Sequence, residues 1–310
     1  MSFRTFSPQT PAQALALLSL PEDYLPIAGG TNVLVDLYKG KITPSGFVDL
    51  SRIEEWKTIE IKDQVLEIGS LVTHADLEAN PIVKKYCPAL SMGACAVGSP
   101  QIRNRGTLGG NLQSASPAAD CAPPLLAHDA ILTLVSVNDS GKLSERQLNL
   151  TDFFLGVGKT ALRHKELIQK VSININPKDQ SIFLKSGLRK ALAISLVNLA
   201  VSLELDENNS CSKARVALGS IAPTPIRIRR VEEFLEGQKL TEDVIEETSQ
   251  IVQKEISPIS DLRASAEYRS YLANVLLQEA LRTLTSSRRV GNGRENDRIN
   301  SKRQLDGHSD

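Results

Sequence analysis

"RNRGTLGGNLQSASPAAD", Arg103 to Asp120, holds three glycines, two asparagines, three hydroxyl side chains and a single acid. It offers almost nothing to a packed core, yet its neighbours do. Upstream, "PALSMGACAV" has a helical pattern; downstream, "APPLLAHDAILTLVSVND" reads as a short helix leading into a buried strand. Glycine allows positive φ and close approach of a ligand to the backbone, and N–H groups at a helix start attract anions. The stretch is therefore either an anion cradle or a tight connecting turn.

A second such loop lies about 80 residues earlier: "AGGTN", Ala28 to Asn32, between the strand-like "YLPI" and the helix-like "VLVDLY". There Thr31 or Asn32 is suited to cap the helix and bond a phosphate oxygen. With "TLGGN", Thr107 to Asn111, it forms a pair able to clamp the two phosphates of one dinucleotide. Arg103 and Arg105 stand beside the second loop, where they either contact phosphate or are simply solvated. Taken singly, Asp120 and Lys185 are solvated charges or partners for a ribose, a ring or a phosphate.

Other chemistry finds little support. Neither loop is GxGxxG, and "FFLGVGKTAL" has Phe153 where a phosphate loop needs its first glycine. His74, His128, His164 and His308 are scattered and lack HExxH or triad companions. Cys87, Cys95, Cys121 and Cys211 form no CxxC pair, so neither zinc nor an iron–sulfur cluster is expected and the thiols are read as reduced. Lys plus Arg and Asp plus Glu both total 36, which disfavours nucleic acid or an acidic membrane as partner. No apolar run approaches the ~18 residues of a membrane span, and no targeting segment is evident, so a cytoplasmic protein is expected.

The 310 residues suggest more than one domain. Thr10 and Pro11 announce a helix, Thr73 with Asp76 another, and a turn is expected at Asn138 to Gly141. Two α/β lobes, about 1–55 and 56–176, each carry one glycine loop. A smaller α+β domain is expected over 177–284, with strands around a turn containing Lys185, a strand stopped by Pro223 and Pro225, and C-terminal helices. Residues 285–310, poor in aliphatics, read as an unstructured tail.

Together, "AGGTNVLVDL", "VGSPQIRNRGTLGGNLQSASPAADCAPPLLAHDA", "FFLGVGKTAL", "FLKSGLRKALAISLVNLA" and "ALGSIAPTPIR" resemble the FAD-binding subunit of the molybdenum hydroxylases, the family of xanthine dehydrogenase and carbon monoxide dehydrogenase. The resemblance spans about residues 1–284. It implies an α+β fold: a two-subdomain FAD-binding domain of the molybdopterin dehydrogenase type, then a smaller α+β domain. It implies FAD contacts from Ile27, Ala28, Gly29, Gly30, Thr31, Asn32, Val33 and Leu34 along the diphosphate and ribitol, and from Thr107, Gly109, Gly110, Asn111 and Ser114 opposite. Asp120 then falls toward the adenosine end, and Ile168 and Lys185 match positions lining the flavin.

The family implies an iron–sulfur small subunit with two [2Fe–2S] clusters, a large subunit with the molybdenum cofactor, and NAD or another electron acceptor. Xanthine dehydrogenase is the activity it first suggests. The other readings are a free-standing FAD-dependent reductase or oxidase, and a non-catalytic assembly subunit that kept the fold. Val97 stands near the place where animal-type xanthine dehydrogenases carry an aromatic on the flavin, so ring environment and acceptor do not carry over. The four-cysteine insertion of some relatives is missing.

Overall fold

The computed structural model describes residues 3–138, 142–189 and 193–305, with side chains through Ser286. The expected turn at Asn138 to Gly141 lies for the most part outside the described residues.

The first lobe is α/β. β1 (Arg4–Phe6), α1 (Pro11–Leu18), β2 (Tyr24–Ile27), α2 (Val33–Tyr38) and β3 (Gly46–Asp49) build a parallel sheet in the order β1-β3-β2. Parallel neighbours need crossovers, which α1 and α2 supply. Thr10 caps α1 by accepting from Gln13 N, Pro11 occupies its first turn, and Pro11, Ala14, Leu15 and Leu18 fall on one buried stripe. That stripe packs on Tyr24, Val48, Leu50, Ile53 and Trp56, and on Leu71, Val135 and Leu167 of the next lobe.

The second lobe departs from the α/β expectation. Its sheet, β4-β5-β10-β6-β7, is antiparallel throughout. β4 (Ile59–Lys62) and β5 (Val65–Gly69) precede α3 (His74–Ala79), α4 (Pro81–Tyr86), α5 (Pro88–Cys95), α6 (Pro100–Arg103), α7 (Leu108–Gln113) and α8 (Ala122–Ala127). β6 (Ile131–Val137), β7 (Leu143–Asn149), the hairpin β8 (Phe154–Gly156) and β9 (Lys159–Thr160), and β10 (Leu167–Asn174) follow. Thr73 and Asp76 form the reciprocal capping box of α3. "FFLGVGKT" is the β8-β9 hairpin and not a phosphate loop.

The last domain is an antiparallel sheet of β11 (Asp179–Gly187), β12 (Ser195–Leu205), β13 (Cys211–Gly219) and β14 (Ile226–Arg227), with α9 (Arg229–Leu235), α10 (Glu242–Glu255) and α11 (Ala266–Leu305). β12 is buried along nearly its whole length, since α9 and α11 cover one side of the sheet and α5 and α8 of the second lobe the other. Lys185 lies inside β11 opposite Asn198, not in a turn. β11 continues past it because each of its residues finds a ladder partner on β12.

Helical backbone extends to Leu305, over most of the stretch 285–310 expected to be unstructured. A helix nucleated by the packing of Leu272, Leu276, Leu277 and Leu281 adds further residues without a new nucleation cost. Among the described residues no helix is long and apolar enough to cross a membrane.

Candidate cofactor-binding site

Both glycine loops come together where the first two lobes meet. A Cβ built on Gly29 would lie 1.8 Å from Arg105 O, so the two loops touch backbone to backbone and only glycine fits. Gly30, with φ +74°, then turns the chain into α2.

The loops differ in what they offer an anion. In the second, Leu108 N–H donates to Val72 O, Gly109 N–H to Ser70 O and Gly110 N–H to Thr107 Oγ1, the N-cap of α7. Its donors are engaged. In the first, the N–H groups of Gly30, Thr31 and Asn32 meet no acceptor among the described residues. Asn32 holds the N-cap position of α2 but its side chain makes no cap bond. The unengaged donors thus come from residues 30–32, and the second loop contributes shape.

Between the loops runs a cleft of about 120 Å³ lined by Ala28, Thr107, Gly109, Gly110 and Ile168 of the expected set, and by Pro26, Leu50, Ser70, Leu71, Gln113, Glu166 and Leu167. Gly109 is buried with its missing Cβ 2.8 Å from Ser70 Cβ, whereas Gly110 is exposed and its Cβ would meet only Thr107 Oγ1, at 3.1 Å. A bulge at Gln169 interrupts the β10 ladder just after Ile168, and Gln169 O accepts from Ser70 N. Asn111 Oδ1 is buried without a partner one residue beyond Gly110.

Other predicted residues lie apart from these cleft walls. Ile27 ends β2, Val33 and Leu34 begin α2 with Leu34 about half exposed, and Ser114 caps α7 with Oγ on Asn111 O. Asp120 is buried and saturated: Lys185 Nζ donates to it at 2.6 Å, Ser195 Oγ at 2.7 Å and Asn198 Nδ2 at 2.8 Å. Lys185 also donates to Ala96 O at 2.9 Å. Arg103 is engaged by Glu78 at 2.8 Å and by Val97 O, so it does not supply a free charge.

Two groups beside the cleft have shifted acidity. Burial, then the nearby Arg103 charge, lowers the His74 imidazole to about 4, leaving a neutral ring whose Nδ1 is 3.5 Å from Cys121 Sγ beneath the second loop. Burial would raise the Glu166 carboxyl, but Arg146, which bonds both its oxygens at 2.7 Å, and the Arg163 N–H hold it below its ordinary value. Neither is poised as an acid or base near neutrality. Among the described residues no group of His, Cys, Asp or Glu could hold a metal.

Sequence reading missed Gln113, Glu166, Ser70 and Leu71, for single polar or apolar residues at the ends of helices and strands carry no pattern of their own. Gly69 was the available signal: its missing Cβ would lie 2.1 Å from Trp56 O.

A cleft between a parallel α/β lobe and an antiparallel lobe, walled by glycine backbone and with unengaged amides just beyond its Ala28 wall, defines a dinucleotide-binding domain with a second domain packed behind it. The domain family described as "FAD binding domain in molybdopterin dehydrogenase" matches residues 1–174, and "CO dehydrogenase flavoprotein C-terminal domain" matches 183–284. The chain belongs to the family of FAD-binding subunits of the molybdenum hydroxylases.

The nicotinate dehydrogenase FAD-subunit of Eubacterium barkeri is 33% identical over 273 residues, 86% of this chain and 90% of the relative. A xanthine dehydrogenase FAD-binding subunit of Escherichia coli O157:H7 is 32% identical over 275 residues, 88% and 92% of the two chains. Among solved structures, quinoline 2-oxidoreductase from Pseudomonas putida 86 superposes with TM-score 0.86 at 27% identity, covering 93% of this chain and 98% of that one.

FAD suits what the cleft presents. Gly110 is exposed on the cleft wall with only Thr107 Oγ1 near its missing Cβ, and beside the Ala28 wall the amides of residues 30–32 meet no acceptor among the described residues.

Proposed function

We propose that this chain is the electron-transfer subunit of a cytoplasmic heterotrimeric molybdenum hydroxylase. It accepts electrons from [2Fe–2S] clusters on a small partner subunit and delivers them to NAD or another acceptor, while the substrate reacts at a molybdenum cofactor on a large subunit. Xanthine dehydrogenase is the activity proposed for the complex. The observation that carries this reading is the family match over residues 1–174 and 183–284, together with a glycine-walled cleft between the first two lobes.

FAD, when bound, supplies the redox chemistry. The protein's part would be to bind and orient it: the unengaged N–H groups of Gly30, Thr31 and Asn32 would hold its phosphates, the bare Gly110 backbone would let it approach, and Ile168 would supply an apolar wall. Asp120 and Lys185 act on the flanks of the cleft by holding each other and the segment at Ala96.

Nicotinate is the second substrate to test, because the nicotinate dehydrogenase relative is as similar as the xanthine dehydrogenase one. Purification of the native protein with its partners, followed by metal and flavin analysis and turnover of xanthine, nicotinate, aldehydes and carbon monoxide with NAD or an artificial acceptor, tests each part. Copurifying molybdenum and iron with xanthine turnover is expected. A flavoprotein free of both metals would support a free-standing reductase or oxidase instead, and a protein without flavin an assembly role.

A further inference from the structure

Beyond the glycine loops the cleft opens into a second space of about 520 Å³ between the α1-β2 segment, Leu18 to Pro26, and residues 160–167. The two spaces share Pro26, Gln113, Glu166 and Leu167. One side chain crosses from wall to wall. Lys165 Nζ donates to Ser19 O at 2.9 Å and to Leu20 O at 3.5 Å. Among the described residues, these are the hydrogen bonds that join residues 4–49 to residues 59–174. Elsewhere the two lobes meet through apolar packing and the contact of Gly29 with Arg105.

The backbone under Lys165 is not arranged for ease. Lys165 has φ +60° in a turn closed by Glu166 N–H on Arg163 O, a conformation that glycine adopts freely and lysine does not. The turn is braced on its far side, where the Glu166 carboxylate takes two bonds from Arg146 and one from Arg163 N–H, and Arg146 also reaches Ala161 O. A strained backbone held this firmly points to a use for the side chain it carries. The ammonium meets the C-terminal end of α1, where Ser19 is the cap and backbone carbonyls concentrate partial negative charge.

We infer that Lys165 is a latch across the space that adjoins the FAD cleft: by tying the braced 163–166 turn to the end of α1 it keeps the two lobes closed and slows escape of the cofactor. The inference rests on the cleft being the FAD site. Lys165→Met removes the cation and keeps the strained backbone; Lys165→Gly removes the cation and relieves the strain. Each is prepared as full-length, FAD-loaded protein with its copurifying subunits, and FAD release on dilution is followed by the rise in flavin fluorescence.

A charged hydrogen bond lost from the closed state corresponds to release roughly ten- to a hundredfold faster in both variants. The flavin-free Lys165→Gly protein is expected to melt no lower than the flavin-free wild type. Release at the wild-type rate from both variants overturns the latch, as does faster release only where the flavin-free fold is itself weakened. Absence of flavin from the wild-type protein would instead defeat the FAD reading, and the latch with it.

Discussion

Gly29 and Gly110 separate two duties that the paired glycines share in the sequence. A methyl group at Gly29 would drive into Arg105 O, 1.8 Å away, and part the loops. Gly29→Ala is therefore expected to lower the melting temperature of the flavin-free protein and abolish FAD binding together. At Gly110 the methyl group needs Thr107 Oγ1 to yield only a few tenths of an ångström and otherwise points into the cleft. Gly110→Ala also gains helix propensity, worth up to about 1 kcal/mol, so the flavin-free fold is expected to hold while FAD affinity falls at least tenfold. Titration of apoprotein with FAD, beside thermal melts, distinguishes the two; unchanged affinity in Gly110→Ala would remove that residue from the site. Residue type and spacing were enough to mark both loops in the sequence. They could not show that the donors of the second are already spent on Val72, Ser70 and Thr107, because those bonds depend on strands distant in the chain.

Among the elements, those with a strong pattern were legible: α1 through its cap and apolar stripe, and α3 through Thr73 and Asp76. β7 was not, since as an edge strand it exposes most of its residues and carries no alternation. Lys185 was misplaced for a related reason: "LKSG" has turn composition, and only pairing with β12 makes it strand. That pairing sets Lys185 beside Asn198, and both grip Asp120 of the second lobe. Removing one partner of a buried ion pair typically costs about 3–5 kcal/mol. Asp120→Asn and Lys185→Met are each expected to destabilise by roughly this much, and the double variant by clearly less than their sum, with a coupling of at least ~1.5 kcal/mol. A denaturant double-mutant cycle run with and without FAD checks this. Simple additivity would show that the pair does not join the domains, and a coupling that vanishes when FAD binds would show that one member turns to the cofactor.

At the scale of the whole molecule, the last domain is held to the second lobe by polar groups, buried His128 and half-exposed Asp129 among them, whose stability depends on pH. Asp129, at the end of α8, accepts from Arg215 and Arg227 at 2.5 Å each; beside it His128 Nε2 lies 3.0 Å from Ser181 Oγ, which itself accepts from Ala89 N. Burial, then the Arg215 charge, lowers the His128 imidazole to about 4, the value reached also by His74. Above the ordinary histidine value near 6.5 neither folded nor unfolded chain binds these protons. Below it the unfolded chain takes them up first, so stability falls as pH drops from about 6.5 to about 4 and levels off once the folded rings protonate. Each histidine is expected to contribute roughly 3 kcal/mol to that fall. Asp129, which the two arginines hold below its ordinary value against its partial desolvation, loses its share only at lower pH. Urea midpoints measured from pH 7.5 to 4 are expected to decline through this window, and His128→Gln, which can still hydrogen-bond Ser181 but does not titrate, to flatten the decline by about half. A variant that keeps the full wild-type slope would show that His128 is already protonated, or open to solvent, where the last domain joins the second lobe.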